Sequence, residues 1–145
     1  LLQERAARHL ERSLALASSE VHRTRGDEAR HALARFYEDR FRSARDYFEA
    51  RGRRLVPAFR ALQDAGFLEI ITCAATHGFL PLMADYPEAI RAQIMVARDY
   101  HRSLFGRDPA GIWLPECAYF PGVEKFLREA DLKWFVLDAH GLMFG

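Results

Sequence analysis

The residues of this sequence that could do chemistry fall in three short stretches: Thr72-Cys73-Ala74-Ala75-Thr76-His77-Gly78, Pro115-Glu116-Cys117-Ala118-Tyr119 and Asp138-Ala139-His140-Gly141. Glu116 follows Trp113-Leu114-Pro115, so proline stiffness would fix its direction and an apolar wall would tune its ionisation. From position alone it reads equally as a catalytic carboxylate or as a loop acid that caps the next helix or pairs with an arginine. His77 and His140 can donate to a ligand hydroxyl or to developing charge, although loop histidines also serve as plain structural groups. Trp113 and Tyr119 flank Glu116 and offer flat apolar surface to a ligand; Trp113, inside an apolar run, is also placed for core packing. Cys117 has no partnered base in the pattern, so it reads as a small wall residue rather than a nucleophile. His9, His22, His31 and His101 sit on helix-forming segments and read as structural.

The elements that must position these stretches change character along the chain. Up to about residue 51 there is no proline, and Leu10, Leu14, Ala17 and Val21 recur at helical steps. After a break at Gly26-Asp27 the period resumes with Leu33, Phe36, Tyr37, Phe41, Ala44, Tyr47 and Phe48, which predicts two amphipathic helices. From Leu55 onward helical and strand patterns alternate. Leu55, Val56, Phe59 and Leu62 mark a helix face, Gly66 suits a left-handed helix end, and Phe67 to Cys73 reads as a buried strand. Asp85-Tyr86-Pro87-Glu88 offers an N-cap for a helix carrying Ile90, Ile94, Ala97, His101 and Leu104 and stopping at Gly106. Gly111 to Glu116 predicts a second strand, Val123 to Ala130 a helix, and Trp134 to Asp138 a third strand. Such alternation predicts an α/β fold with parallel strands, whose carboxyl ends would gather the three polar stretches on one rim.

Composition narrows the classes. The chain has 145 residues, 50% of them apolar, with 21 Lys+Arg against 20 Asp+Glu. A core can be buried, while the near-zero charge supplies no field for nucleic acid or an anionic membrane. Cys73 and Cys117 fit no disulfide framework or zinc pattern, and no apolar run is long enough to span a bilayer, so a cytoplasmic protein is expected. His77, Asp138 and His140 lack metal-ligand spacing, so neither metal nor cofactor is expected. Oligomeric state leaves no mark in the sequence.

The segment Gly111-Ile-Trp-Leu-Pro-Glu-Cys-Ala-Tyr-Phe-Pro-Gly122 closely resembles the nucleophile motif of glycoside hydrolase family 57, specifically its 1,4-α-glucan branching members. Leu68-Glu69-Ile70-Ile71-Thr72, Ala74-Ala75-Thr76-His77 and Leu80-Pro81-Leu82 resemble the family's preceding motif. Gln93-Ile94, Tyr100, Phe105-Gly106 and Asp138-Ala139-His140-Gly141 follow in the family's order. The resemblance runs from about residue 55 to 145. It implies part of a (β/α)7 incomplete TIM-like barrel over residues 54–145, with residues 1–53 as a helical insertion. It also implies Glu116 as catalytic nucleophile, with His77, Trp113, Cys117, Tyr119 and His140 around the donor sugar of an α-glucan such as amylose or glycogen. The reaction would transfer a glucan from an α-1,4 bond to a 6-hydroxyl. Within the family, an α-amylase or 4-α-glucanotransferase shares the same nucleophile.

Retaining chemistry also needs a second carboxylic acid about 5–5.5 Å from the first. The family's aspartate motif finds no match here, nor does its His-Gln-Pro-like first motif, and the chain begins without methionine. An interior piece of a longer enzyme is therefore expected, with open sheet edges, poor solubility and no activity by itself. A non-catalytic glucan-binding module is the competing reading from another class.

Overall fold

Helix periodicity in the first fifty residues is realised as α1 (Leu2–Arg23) and α2 (Glu28–Ala50). The structure is a computed structural model that describes residues 2–143. The break falls at Asp27, which caps α2 through a hydrogen bond from the Arg30 backbone N–H to its carboxylate. Ser18 donates to Glu38, Arg45 faces Glu11 and Arg53 pairs with Glu4. Partners thus run in opposite order along the two helices, which makes them an antiparallel hairpin. Ala7, Leu14 and Ala17 are buried on α1, and Ala34 and Phe48 on α2. At the end of α2, the Gly52 N–H bonds to Glu49 O and the Arg53 N–H to Phe48 O, the double bond of a Schellman close around a left-handed glycine.

The chain divides into two compact units, Leu1–Phe59 and Arg60–Gly145. Helix α3 (Val56–Asp64) carries the chain from one unit to the next. It closes like α2: Gly66 takes φ 79°, its N–H bonds to Gln63 O, and the Phe67 N–H bonds to Leu62 O. That second bond uses a donor that a strand beginning at Phe67 would need. The run expected to be a strand from Phe67 accordingly pairs only at Thr72–Cys73, β1, and Phe67 is exposed.

The second unit is built on a parallel sheet in the order β1-β2-β3, with β2 at Gly111–Trp113 and β3 at Trp134–Phe135. Thr72 faces Ile112, Cys73 faces Trp113, Gly111 faces Trp134 and Ile112 faces Phe135. All three strands are shorter than their apolar runs. Helix α4 (Pro87–Phe105) makes the first crossover and α5 (Val123–Glu129) the second. The expected Asp85 cap is not used. Pro87 stands at the first helical position, where its fixed φ suits the helix and its missing N–H costs nothing, so α4 starts directly after Tyr86. Gly106, at φ 76°, ends it as expected. Helix α5 ends on Asp131 at φ 59°, and a final short helix, α6, covers Ala139–Met143.

Leu80, Ile90, Ile94, Ile112, Leu114 and Val123 are each fully buried and pack with Phe126 and Leu127 into one core. Each such side chain contributes about 1.5–3 kcal/mol by leaving water. The core therefore clamps α4 and α5 on the sheet and holds the loops at its carboxyl edge. The architecture is α/β with a small parallel sheet, the class expected.

Candidate active site

Parallel strands send their outgoing loops to one edge of the sheet, and there the three polar stretches emerge. Along β2 the side chains alternate: Ile112 and Leu114 point into the core while Trp113 between them is 40% exposed. The core role open to Trp113 from sequence is thus taken by its two neighbours. Pro115 is buried beneath the turn that follows.

That turn has unusual backbone geometry. The Cys117 N–H bonds to Leu114 O at 2.8 Å and the Ala118 N–H to Pro115 O at 3.1 Å, two overlapping tight turns. They leave Glu116 at φ 59°, ψ 25° and Cys117 at φ 53°. The residue after a turn-initiating proline takes positive φ most readily when it is glycine or asparagine. Here it is a glutamate, whose side chain is 74% exposed. Among the described residues five non-glycines have positive φ, and His77, at 57°, makes a third at this rim. Backbone held in this region costs about 1–3 kcal/mol per residue and persists where surrounding structure over-determines it.

The His77 loop is over-determined in that sense. Gln93, on α4, accepts the Thr76 backbone N–H at 2.9 Å and donates to the Thr76 hydroxyl at 2.7 Å. The Gln93 backbone carbonyl takes the Ala75 N–H, and the His77 N–H bonds to Ala74 O. Held this way, the imidazole presents Nε2 to Glu116 Oε1 at 3.5 Å and Nδ1 to the Cys73 sulfur at 3.2 Å. Burial raises the Cys73 thiol above its ordinary pKa, so at neutral pH it keeps its proton.

Of the other expected site residues, Tyr119 stands on the loop after the Glu116 turn and His140 at the start of α6. Tyr119 stacks parallel to Phe135 with centroids 5.9 Å apart, and its hydroxyl lies 3.4 Å from Glu124, which also accepts the Gly122 N–H. Glu124 is held below its ordinary pKa by its own backbone N–H first, then by Gly122 and Tyr119. His140 bonds to Asp138 twice, through its backbone N–H at 3.0 Å and its ring Nδ1 at 2.8 Å, and these bonds, the backbone one first, lower the Asp138 pKa. Cys117 is half-buried in the turn beside Glu116. The structure therefore brings His77 onto Glu116, while Tyr119 and His140 are anchored by Phe135, Glu124 and Asp138. Among the described residues no three His, Cys, Asp or Glu side chains are grouped as metal ligands.

Cys73 and Gln93 touch the His77 loop, a role assigned to neither of them from sequence. The available signal was the four-residue spacing of Cys73 and His77 off a strand end. Nothing local links Gln93 to Thr76, because that contact needs α4 folded back on the sheet.

The sequence profile of glycosyl hydrolase family 57 matches residues 5–145. The chain belongs to glycosyl hydrolase family 57. It is 43% identical over 114 residues to a 1,4-alpha-glucan branching enzyme of Thermococcus kodakarensis, covering 68% of this chain and 17% of that protein. It is 38% identical over 86 residues to the 4-alpha-glucanotransferase of Thermococcus litoralis, covering 58% of this chain and 12% of that one. The crystal structure of the alpha-amylase AmyC from Thermotoga maritima superposes with a TM-score of 0.84 at 38% identity, over 99% of this chain and 28% of AmyC. The chain thus spans about a sixth of the branching relative's length, and these family members carry three different activities. Among the described residues no helix is long and apolar enough to cross a membrane.

Proposed function

We propose that this chain is part of the catalytic (β/α)7 barrel of a retaining 1,4-α-glucan branching enzyme, with residues 1–53 as its helical insertion and 54–145 as the middle of the barrel. The observation that carries this reading is Glu116, set on a left-handed turn at the carboxyl end of β2 with the His77 imidazole 3.5 Å from its carboxylate. Similarity to a branching enzyme at 43% identity supports the acceptor assignment.

In this mechanism Glu116 attacks the anomeric carbon of an α-1,4-linked glucan, and the bond to the leaving oxygen breaks. A carboxylic acid elsewhere in the longer protein protonates that oxygen. The 6-hydroxyl of another glucan chain then displaces Glu116 and gives its proton to the same acid, so two inversions retain the configuration. Trp113 and Tyr119 supply apolar faces to the donor sugar, His77 and His140 hydrogen bonds, and Cys117 a small wall beside the nucleophile. The chemistry needs no cofactor, and a cytoplasmic glycogen-type glucan is the proposed substrate.

A second reading rests on the similarity to an alpha-amylase and a 4-alpha-glucanotransferase. There the same nucleophile operates, but water or a 4-hydroxyl accepts the glucan. Incubating the full-length enzyme with amylose and debranching the product decides between them. New α-1,6 linkages support branching; reducing ends without them support hydrolysis, and redistributed linear chains support glucanotransfer.

A further inference from the structure

We propose that Cys73 is a positioning residue whose thiol donates to Nδ1 of His77, fixing the imidazole as the tautomer that carries its proton on Nε2, toward Glu116. The consequence for catalysis rests on the function proposed above, but the tautomer itself does not.

Three observations converge on it. First, the ring is contacted at both nitrogens, by Cys73 Sγ at 3.2 Å and by Glu116 Oε1 at 3.5 Å, so neither proton position is left to solvent alone. Second, the partners have opposite capacities. An ionised carboxylate only accepts, so the nitrogen facing Glu116 must bear hydrogen to gain anything there. The other nitrogen is then a bare lone pair, and a thiol can donate to it, whereas sulfur is a poor acceptor for an N–H. Burial keeps Cys73 in the thiol form that this assignment needs. Third, the backbone beneath the ring is pinned. Gln93 brackets Thr76 at two atoms and His77 is held at φ 57°, which fixes the Cα–Cβ direction from which the ring reaches Cys73 on one side and Glu116 on the other.

A neutral N–H preset toward Glu116 differs in effect from an imidazolium. It orients the attacking oxygen without neutralising it, and at 3.5 Å the N–H can be shared with an incoming sugar hydroxyl. The alternative tautomer would set a lone pair against the carboxylate and repel it. This is the arrangement by which the partner of one imidazole nitrogen fixes the role of the other.

The test is the tautomer of His77 in the full-length enzyme labelled with 15N-histidine, read from long-range proton–nitrogen correlations at a pH where the ring is neutral. The His77 signals are identified by their loss in His77→Gln. We expect a single Nε2–H form in the wild type, a mixture in Cys73→Val or Cys73→Ala, and recovery of the single form in Cys73→Ser, which keeps a donor. In parallel, kcat falls about fivefold in the variants without a donor, KM moves little, and serine restores the rate. An Nδ1–H form in the wild type overturns the proposal, as does an Nε2–H form undisturbed in the valine and alanine variants. The wild-type spectrum alone can overturn the proposal even if a variant misfolds. Should Glu116→Gln retain turnover, the proposed function fails while the tautomer result stands on its own.

Discussion

Gly111→Ala provides a quantitative check on the sheet that carries Glu116. Gly111 opens β2 and is paired with Trp134 across the sheet. A Cβ added there would lie 2.4 Å from Trp134 Cε2, 2.5 Å from Cζ2 and 2.7 Å from Cδ2. Carbon atoms rest about 3.5–4.0 Å apart, so a rigid indole must retreat by about 1 Å. It cannot bend to do so, and its own strand is held by the Lys133 N–H bond to Ala110 O at 2.7 Å. Overpacking of this kind costs about 1–3 kcal/mol. With a urea m value of about 2 kcal/mol/M, a loss of about 2 kcal/mol lowers the unfolding midpoint by about 1 M. Trp113 and Trp134, the two tryptophans of the chain, lie on β2 and β3 and report the transition by fluorescence. Gly26→Ala is the control, because an added Cβ there meets nothing within 4 Å. A midpoint in Gly111→Ala within about 0.2 M of wild type, less than about 0.5 kcal/mol, would refute the packing argument.

Three further outcomes are expected. Glu116→Gln lowers turnover by about 10³-fold or more while its exposed side chain leaves stability within about 0.5 kcal/mol; near-normal rates in product assays would remove it as nucleophile. Gln93→Leu strips two hydrogen bonds from Thr76 and speeds amide exchange across Ala75–His77 by about fivefold or more, whereas Gln93→Glu can accept from both the Thr76 N–H and its hydroxyl and stays near wild type; equal exchange in both variants would sink the clamp. His101 is buried against Phe105, and desolvation lowers its pKa, with Asp108 opposing. Its folded pKa lies below the unfolded value of about 6.5, so the unfolded state binds more protons. Stability is then full above about pH 6.5 and falls as pH drops toward the folded pKa. His101→Phe should flatten that limb, and an unchanged slope in denaturation between about pH 7 and 5 would count against it.

Much of the fold was legible because it is written locally. The period of Leu10, Leu14, Ala17 and Val21 needs only its own helix to be realised, and Gly66 and Gly106 close helices through bonds a few residues back. Strand extent was not legible in the same way. The apolar run from Phe67 contains no mark of where pairing begins, since that depends on where the closing bonds of α3 take up donors. Trp113 shows the same limit: alternation assigns faces only when a register exists. At the site, residue types and the rim they share could be read, because parallel strands dictate a common edge. The contact of His77 with Glu116, and the Gln93 support behind it, join residues distant in sequence through the folded core, whereas the Cys73 support is only four residues away. The positive φ of Glu116 was foreshadowed only by the proline before it.

That left-handed turn has an evolutionary consequence. A glycine at position 116 would relax the backbone, so stability by itself favours losing the carboxylate. On the nucleophile role proposed for Glu116, selection for turnover opposes a standing pressure toward glycine or asparagine at this one codon. In a lineage that has ceased to use the reaction, position 116 should be among the first to change, ahead of the buried Leu114 and Pro115 beneath it.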